Sequence, residues 1–405
     1  MKKIIRFTAA SLFIVFIAAI FAAMFLSESI PTKFFVAQGG KFDLNNDLIS
    51  TRVEAAGNIL DSVPCEDSGS YTVNLSLLGV LPIKEVSVDV VKSVRAAPMG
   101  NVFGVRMFTD GVLVIGMNDV ETEEGPVNPA KEAGIRIGDI ITEADGADIN
   151  SADRLAKVIE NCPGGLAKIK VLRDDEQIEL TAKAARSKAD GCYRLGAWVR
   201  DSTAGIGTMT FYLPDYNLYA GLGHGICDVD TGEVMPLLSG EVVPVEITGV
   251  VKGRQGSPGE IKGCFSRDEV IGRLIMNTDT GIYATGETSE TGRTMEIAMK
   301  QDIKEGYAQI ISQVGGSPEY YDIEIERVSI NSSSPAKNMV IRITDDRLLS
   351  EAGGIIQGMS GSPIIQNGKL VGAVTHVFIN DPTRGYGHFA ENMLYTINGS
   401  NDKAA

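Results

Sequence analysis

Hydrophobic positions along this chain follow three rhythms. An apolar run from Phe7 to Leu26, interrupted only by small polar residues such as Thr8 and Ser11, follows a cationic start. In a helix, a run of that length just crosses a hydrocarbon core of about 30 Å. Twofold alternation marks Tyr71 to Val80, Val86 to Val91 and Met339 to Asp345, the period of half-buried strands. Helical spacing appears at Leu155, Val158 and Ile159, in a segment that Asn150-Ser151 can cap and that runs through Asn161. Short strand-like runs surround it: Ile140 to Ala144, Ala167 to Leu172 and Gln177 to Ala182, the last two flanking a turn at Asp174-Asp175. Pro129 suits a first helical position and Gly134 a helix end. The pattern predicts a mainly β chain behind one N-terminal helix.

Length and charge narrow this picture. With 405 residues and 44% hydrophobic content the chain can bury a large core, and a domain size of about 100 to 200 residues implies two or three domains. The net charge of -15 argues against nucleic acid, whose phosphates need a basic surface. Lys2, Lys3 and Arg6 precede the apolar run, and the first acid is Glu28. Residues 1–30 therefore read as an export signal or anchor, and the lack of a small-residue cleavage site after Leu26 favours the anchor. Met1 is then cytoplasmic, and the chain from about Ser27 lies across the membrane. Residues 31–98 read as a stalk and β-rich region, with polar Asp43 to Thr51 as a flexible stretch that a protease can reach. Five scattered cysteines, Cys65, Cys162, Cys192, Cys227 and Cys264, show no C-x-x-C spacing. One or two disulfides are open to an exported chain, but at least one thiol stays unpaired, and most read as small buried residues.

The segment Pro129 to Ile141 resembles the PDZ signature P-A-x-x-A-G-I-x-x-G-D-x-I almost letter for letter. The resemblance implies a PDZ domain at residues 99–186, which accepts an extended peptide as an added strand beside a helix, with a loop of amides on a terminal carboxylate. By that resemblance the loop lies at Val102-Phe103-Gly104-Val105 and the groove helix at Ser151 to Asn161. Phe103, Gly104 and Val105 are the expected peptide-binding residues.

Chemistry enters with Gln357-Gly358-Met359-Ser360-Gly361-Ser362-Pro363. Small neighbours let a carbonyl approach a serine oxygen and leave amides free to hold an oxyanion, so Gly358 and Ser360 are the natural donors. A base is needed, and the chain has three histidines. His224 follows a hydrophobic-to-glycine transition at a strand end. His376 falls in the strand after the serine turn, where it can border the cleft, and His388 in a Gly-Tyr-Gly turn. For the acid, Asp345 ends an alternating strand, with Asp346, Asp228 and Asp230 as rivals by proximity.

Three stretches, Leu195 to Phe211, Gly221 to His224 and Gly354 to Gly368, resemble the stage IV sporulation protein B family of PDZ-containing serine peptidases, and the likeness runs over nearly the whole chain. It implies His224, Asp345 and Ser360 as catalytic residues, on a chymotrypsin-like double β-barrel at residues 187–405, with neither cofactor nor metal. It further implies a peptidase made in the forespore and exported into the space between forespore and mother cell. There it trims itself and cleaves a membrane-bound inhibitor of an intramembrane protease, releasing a late sigma factor. Asp345 precedes Ser360 by only fifteen residues, a departure from chymotrypsin-like spacing that puts the acid in question. Two other readings stand beside this one: a non-enzymatic PDZ adaptor with a degenerate peptidase fold, and a general envelope quality-control protease. The PDZ segment precedes the peptidase segment, an order that favours the sporulation family over the latter.

Overall fold

The computed structural model describes residues 2–401 apart from 45, 56, 57, 61, 175, 267, 268, 289–291 and 333. Helix α1 (Lys2–Ser29) opens the chain, with Phe13, Phe16, Phe21 and Phe25 exposed along it. Among the described residues no helix is long and apolar enough to cross a membrane. The side chains of residues 2–10 and 12, where the expected anchor begins, lie outside the described ones.

An N-terminal sheet follows, ordered β1-β5-β4-β2-β3, from β1 (Lys33–Ala37), β2 (Ile49–Ala55), β3 (Asn58–Leu60), β4 (Gly69–Leu77) and β5 (Leu81–Val91). Its alternation is the one the sequence shows: Val73 and Leu75 of β4 and Val86, Val88 and Val90 of β5 are buried together. Strand β4 stops at Leu77 because Leu78 and Gly79 turn with positive φ, the geometry of a tight hairpin. Of the expected flexible stretch, Ile49 to Thr51 is corrected here, since it lies in β2. Thr51 pairs with Leu75 inside the sheet, and β1 is pinned to the far end of the molecule. Gln301 Nε2 donates to the Phe35 carbonyl at 2.6 Å, and the Phe35 ring stacks on Tyr395 at 3.7 Å.

The PDZ-like part is built from the second half of β6 (Val102–Met117), α2 (Pro129–Glu132), β7 (Ile140–Ala144), α3 (Ala152–Glu160), β8 (Leu166–Arg173) and β9 (Glu176–Lys183), paired in the order β9-β8-β7-β6. Local chemistry sets its boundaries. Asn128 caps α2 by accepting from the Lys131 amide, with Pro129 at the first position, and Ser151 caps α3 by accepting from the Arg154 amide. Leu155 and Ile159 turn the apolar side of α3 into a core with Val112, Ile141, Ile169 and Val171.

Two barrels carry the rest. The first half of β6 pairs with β10 (Ala197–Leu213) on one side and β12 (Ser239–Val251) on the other. The ring continues from β12 to β13 (Gly272–Thr278), β14 (Gly281–Thr285) and β11 (Leu218–Gly221), then returns to β10. These pairings close six strands. The second closed barrel runs β15-β16-β17-β20-β19-β18, from β15 (Gly306–Ser312), β16 (Glu319–Val328), β17 (Met339–Ile343), β18 (Pro363–Gln366), β19 (Lys369–Phe378) and β20 (Asp381–Phe389). Between β17 and β18 lie α4 (Asp346–Ala352) and the serine turn; α5 (Ala390–Asn401) ends the described chain.

This architecture moves one boundary. Residues 102–108, expected in the PDZ unit, form a strand of the first barrel, and the PDZ-like part is inserted between that strand and β10. His388 also differs from expectation: Gly385-Tyr386-Gly387 is continuous strand within β20, and His388 is fully buried opposite Ala373.

Candidate active site

The two barrels meet at a cleft of about 450 Å³. From the first barrel, β11 ends at Gly221, and Leu222 and Gly223 both take left-handed backbone, φ 67° and 68°. That reversal delivers His224 into the cleft. Gly223 tolerates the conformation without strain, and a Cβ there would press on Ala373 and Thr375 of the second barrel, each at 3.1 Å. Leu222 adopts it at roughly 1–2 kcal/mol, which the packing of its buried side chain must offset.

The serine turn arrives from the second barrel. A Cβ on Gly361 would lie 1.8 Å from the Thr208 carbonyl oxygen, so only glycine fits where the turn touches β10. The Thr208 amide donates to the Ser360 carbonyl at 2.8 Å, and Thr208 Oγ1 donates to the Gly358 carbonyl at 2.7 Å. One threonine of barrel one thus holds both sides of the serine turn. Gly358 and Ser360 line the cleft, and neither amide donates to a backbone carbonyl among the described residues. Ser360 Oγ donates to the Thr375 carbonyl at 2.7 Å.

His224 Nδ1 lies 2.8 Å from the Gly225 carbonyl oxygen. A carbonyl only accepts, so Nδ1 carries the hydrogen and Nε2 keeps its lone pair, the tautomer a general base needs. Burial holds the imidazole below its ordinary pKa, opposed by the Gly225 bond. The His376 ring stands 4.9 Å from the His224 ring and borders the cleft as its strand position suggests. Desolvation, then His224 and Lys337, bring its pKa down to about 4.

Asp345 is not brought to this histidine. It caps α4, accepting from the Arg347 amide at 2.9 Å. Its oxygens also take Arg347 Nη2 at 2.9 Å and the Asp322 amide at 3.2 Å, and the Arg347 hydrogen bonds come first among the causes that lower its pKa. The strand end that made it a candidate leads instead into a helix cap. The rivals are also committed or remote. Asp228 and Asp230 both bind Arg200, and Asp346 is exposed in the first turn of α4. No carboxylate is among the cleft-lining residues described.

The expected carboxylate loop is likewise corrected. Phe103, Gly104 and Val105 pair with Gly207, Ile206 and Gly205 on one side and Pro244, Val243 and Val242 on the other, so neither edge of this segment is free to add a peptide. The structure places a different groove beside α3, of about 480 Å³, between Ala152, Leu155, Ala156 and Ile159 and the chain from Leu195 to Val199. There Ala197–Arg200 pairs with Met117–Leu113. Leu195-Gly196-Ala197-Trp198, an apolar-glycine-apolar step opening a strand, was the sequence signal for it. All five cysteines are free thiols, with Cys65 and Cys162 buried, Cys192 half-buried, and Cys227 and Cys264 exposed.

Comparison with known proteins finds two family models, and the PDZ model takes in residues 103–108, which pair in the first barrel. The family model described as SpoIVB peptidase S55 matches residues 191–394, just over half of the chain, and the PDZ domain model matches residues 103–184. HhoA, a protein of Synechocystis sp. named as a serine protease, is 29% identical over 145 residues, 34% of this chain and 35% of HhoA. The chain thus spans about a third of the length of that relative. Among solved structures, the PDZ domain of the SdrC-like protein Lmo2051 from Listeria monocytogenes is 27% identical, covering 22% of this chain and 87% of that one, with a TM-score of 0.18. The inactive form of the Rv3671c protease is 15% identical, covering 48% of this chain and 83% of that one, with a TM-score of 0.27.

Proposed function

The chain belongs to the SpoIVB peptidase S55 family and is a PDZ-containing serine peptidase, and from that premise we propose that Ser360 is its nucleophile and His224 its general base. The observation that carries this is the convergence of both residues, one from each barrel, on a single cleft. In the reaction, the Ser360 hydroxyl leaves the Thr375 carbonyl, a bond of about 1 kcal/mol, and passes its proton to Nε2 of His224 as the oxygen attacks a peptide carbonyl. The imidazolium then protonates the departing amine, and water resolves the acyl-enzyme by the same route. Gly358 and Ser360 amides receive the oxyanion, each such donor being worth about 10²–10³ in turnover. The Gly225 carbonyl holds the Nδ1–H in the part that a carboxylate takes in a triad.

Family membership supports the finer reading: an endopeptidase of endospore formation that trims itself and cuts a membrane-bound regulatory protein, triggering intramembrane proteolysis and late sigma-factor activation. The basic start and the apolar run Phe7 to Leu26 support export by, or anchoring through, α1, which a peptidase working between forespore and mother cell requires. The groove beside α3 is the place for a peptide ligand of the PDZ part. A fluorophosphonate probe tests the catalytic assignment. The wild-type chain should label at Ser360, while Ser360→Ala and His224→Ala should not; labelling that survives Ser360→Ala sinks it.

A further inference from the structure

The cleft is unusual for this chain in carrying no formal charge. Charged residues make up 22% of the sequence, yet none of the cleft-lining residues described is Asp, Glu, Lys or Arg. Its walls are instead Val105, Ile206, Leu222, Ile226 and Val229, with small residues between them. The segment after His224 shows how this arises. Cys227 and Val229 face the cleft, while the intervening Asp228 and the following Asp230 turn to Arg200. Asp228 is buried and also accepts from the amides of Asp230 and Thr231 at 2.9 and 3.0 Å. Arg200 thus draws both acids away from the cleft lining, and the single charge that one guanidinium leaves over sits on the half-exposed Asp230.

The direction of the reaction says which part of a substrate meets this wall. His224 returns its proton to the departing amine, so the residue after the cut bond lies on the histidine side. Leu222, Ile226 and Val229, which flank His224 along the chain, line the same cleft. We infer that this peptidase selects substrates on the leaving-group side, accepting an uncharged, apolar side chain immediately after the cut bond and rejecting Asp, Glu, Lys and Arg there. The inference rests on the peptidase reading of the same cleft. A charged side chain entering it loses hydration and finds no counter-ion among the lining residues, whereas an apolar one removes surface from water on both partners.

The test is cut-site profiling. A proteome-derived peptide library is digested by the full chain, with Ser360→Ala as the control, and the new N-termini are sequenced. Apolar residues should dominate the first position of those N-termini, with charged residues depleted at least tenfold. The exposed rim residue Val229 supplies the second arm. Val229→Glu should raise cleavage before Lys and Arg about tenfold relative to cleavage before Leu. Ser360-dependent cuts that show charged residues at this position as often as the library does overturn the selectivity and leave the peptidase intact. No Ser360-dependent cut in any peptide overturns the peptidase reading itself.

Discussion

Strand β10 touches two hollows of nearly equal size, the groove beside α3 at Ala197–Val199 and the His224–Ser360 cleft at Thr203–Gly207. At its α3 end the strand meets an ordinary amphipathic helix, and Trp198 stands 60% exposed in the groove. At its cleft end it meets backbone in unusual conformations: left-handed Leu222 and Gly223, then Gly358 and Gly361 at φ 97° and 99°. A docking surface needs a free strand edge and an apolar wall. The residue proposed as nucleophile, Ser360, needs its oxygen and amides aimed, and its turn is held against β10 at Gly361, where only glycine fits.

The most damaging way to break this contrast is Gly361→Ala. The added carbon meets the Thr208 carbonyl oxygen at 1.8 Å, and backbone cannot yield as a flexible side chain would. Turnover should fall roughly 100-fold as the serine turn lifts off β10, with a lowered Tm, while a peptide ligand should still bind at α3. Titrating a fluorescent tail peptide against the mutant checks the second half; loss of both functions together would mean that the two hollows are not separable.

A gentler perturbation acts on the other hollow. Ala156 is exposed on the groove face of α3, so Ala156→Glu should leave the fold intact and weaken peptide binding by about tenfold. Fluorescence polarisation reads the affinity. Unchanged affinity would remove α3 from the binding surface.

The smallest effect is expected at Asp345. Asparagine keeps the α4 cap and loses the ion pair to Arg347, which is 60% exposed, together with the oxygen that accepts from the Asp322 amide. Asp345→Asn should therefore change kcat less than tenfold, against the ~10⁴ typical of an acid that orients the histidine. The pH profile sharpens the same point. His224 works only when neutral, and burial favours the neutral form, so kcat/KM should persist as the pH falls through 6.5 and drop only below it. A carboxylate engaged with the ring would favour the imidazolium instead and move that limb above 6.5.

Much of the PDZ-like part was legible because its signals are local. Asn128 with Pro129, and Ser151 with the apolar spacing of Leu155 and Ile159, each fix a helix from residues close by in the chain. The serine turn was legible for the same reason, since glycines at 358 and 361 mark backbone that other residues rarely adopt. Val102 to Val105 misled because its short apolar run suits a loop before a strand or a strand itself. Partners near residues 205 and 243 decided the matter, far away in sequence. Asp345 misled differently: a carboxylate at a strand end can reach a neighbouring strand or cap the helix that follows, and the Arg347 amide and side chain captured it.

By itself, then, the sequence determined which residues could do chemistry: a serine between glycines, three histidines, a PDZ signature and an apolar N-terminus. Those properties belong to side-chain identity and to a few consecutive φ and ψ angles. Tertiary structure decided which histidines share a cleft with the serine, that Asp345 caps a helix and pairs with Arg347, and where a groove opens beside α3. Strand pairing joins segments a hundred or more residues apart, and the hydrogen bonds that make those choices exist only once the barrels have closed.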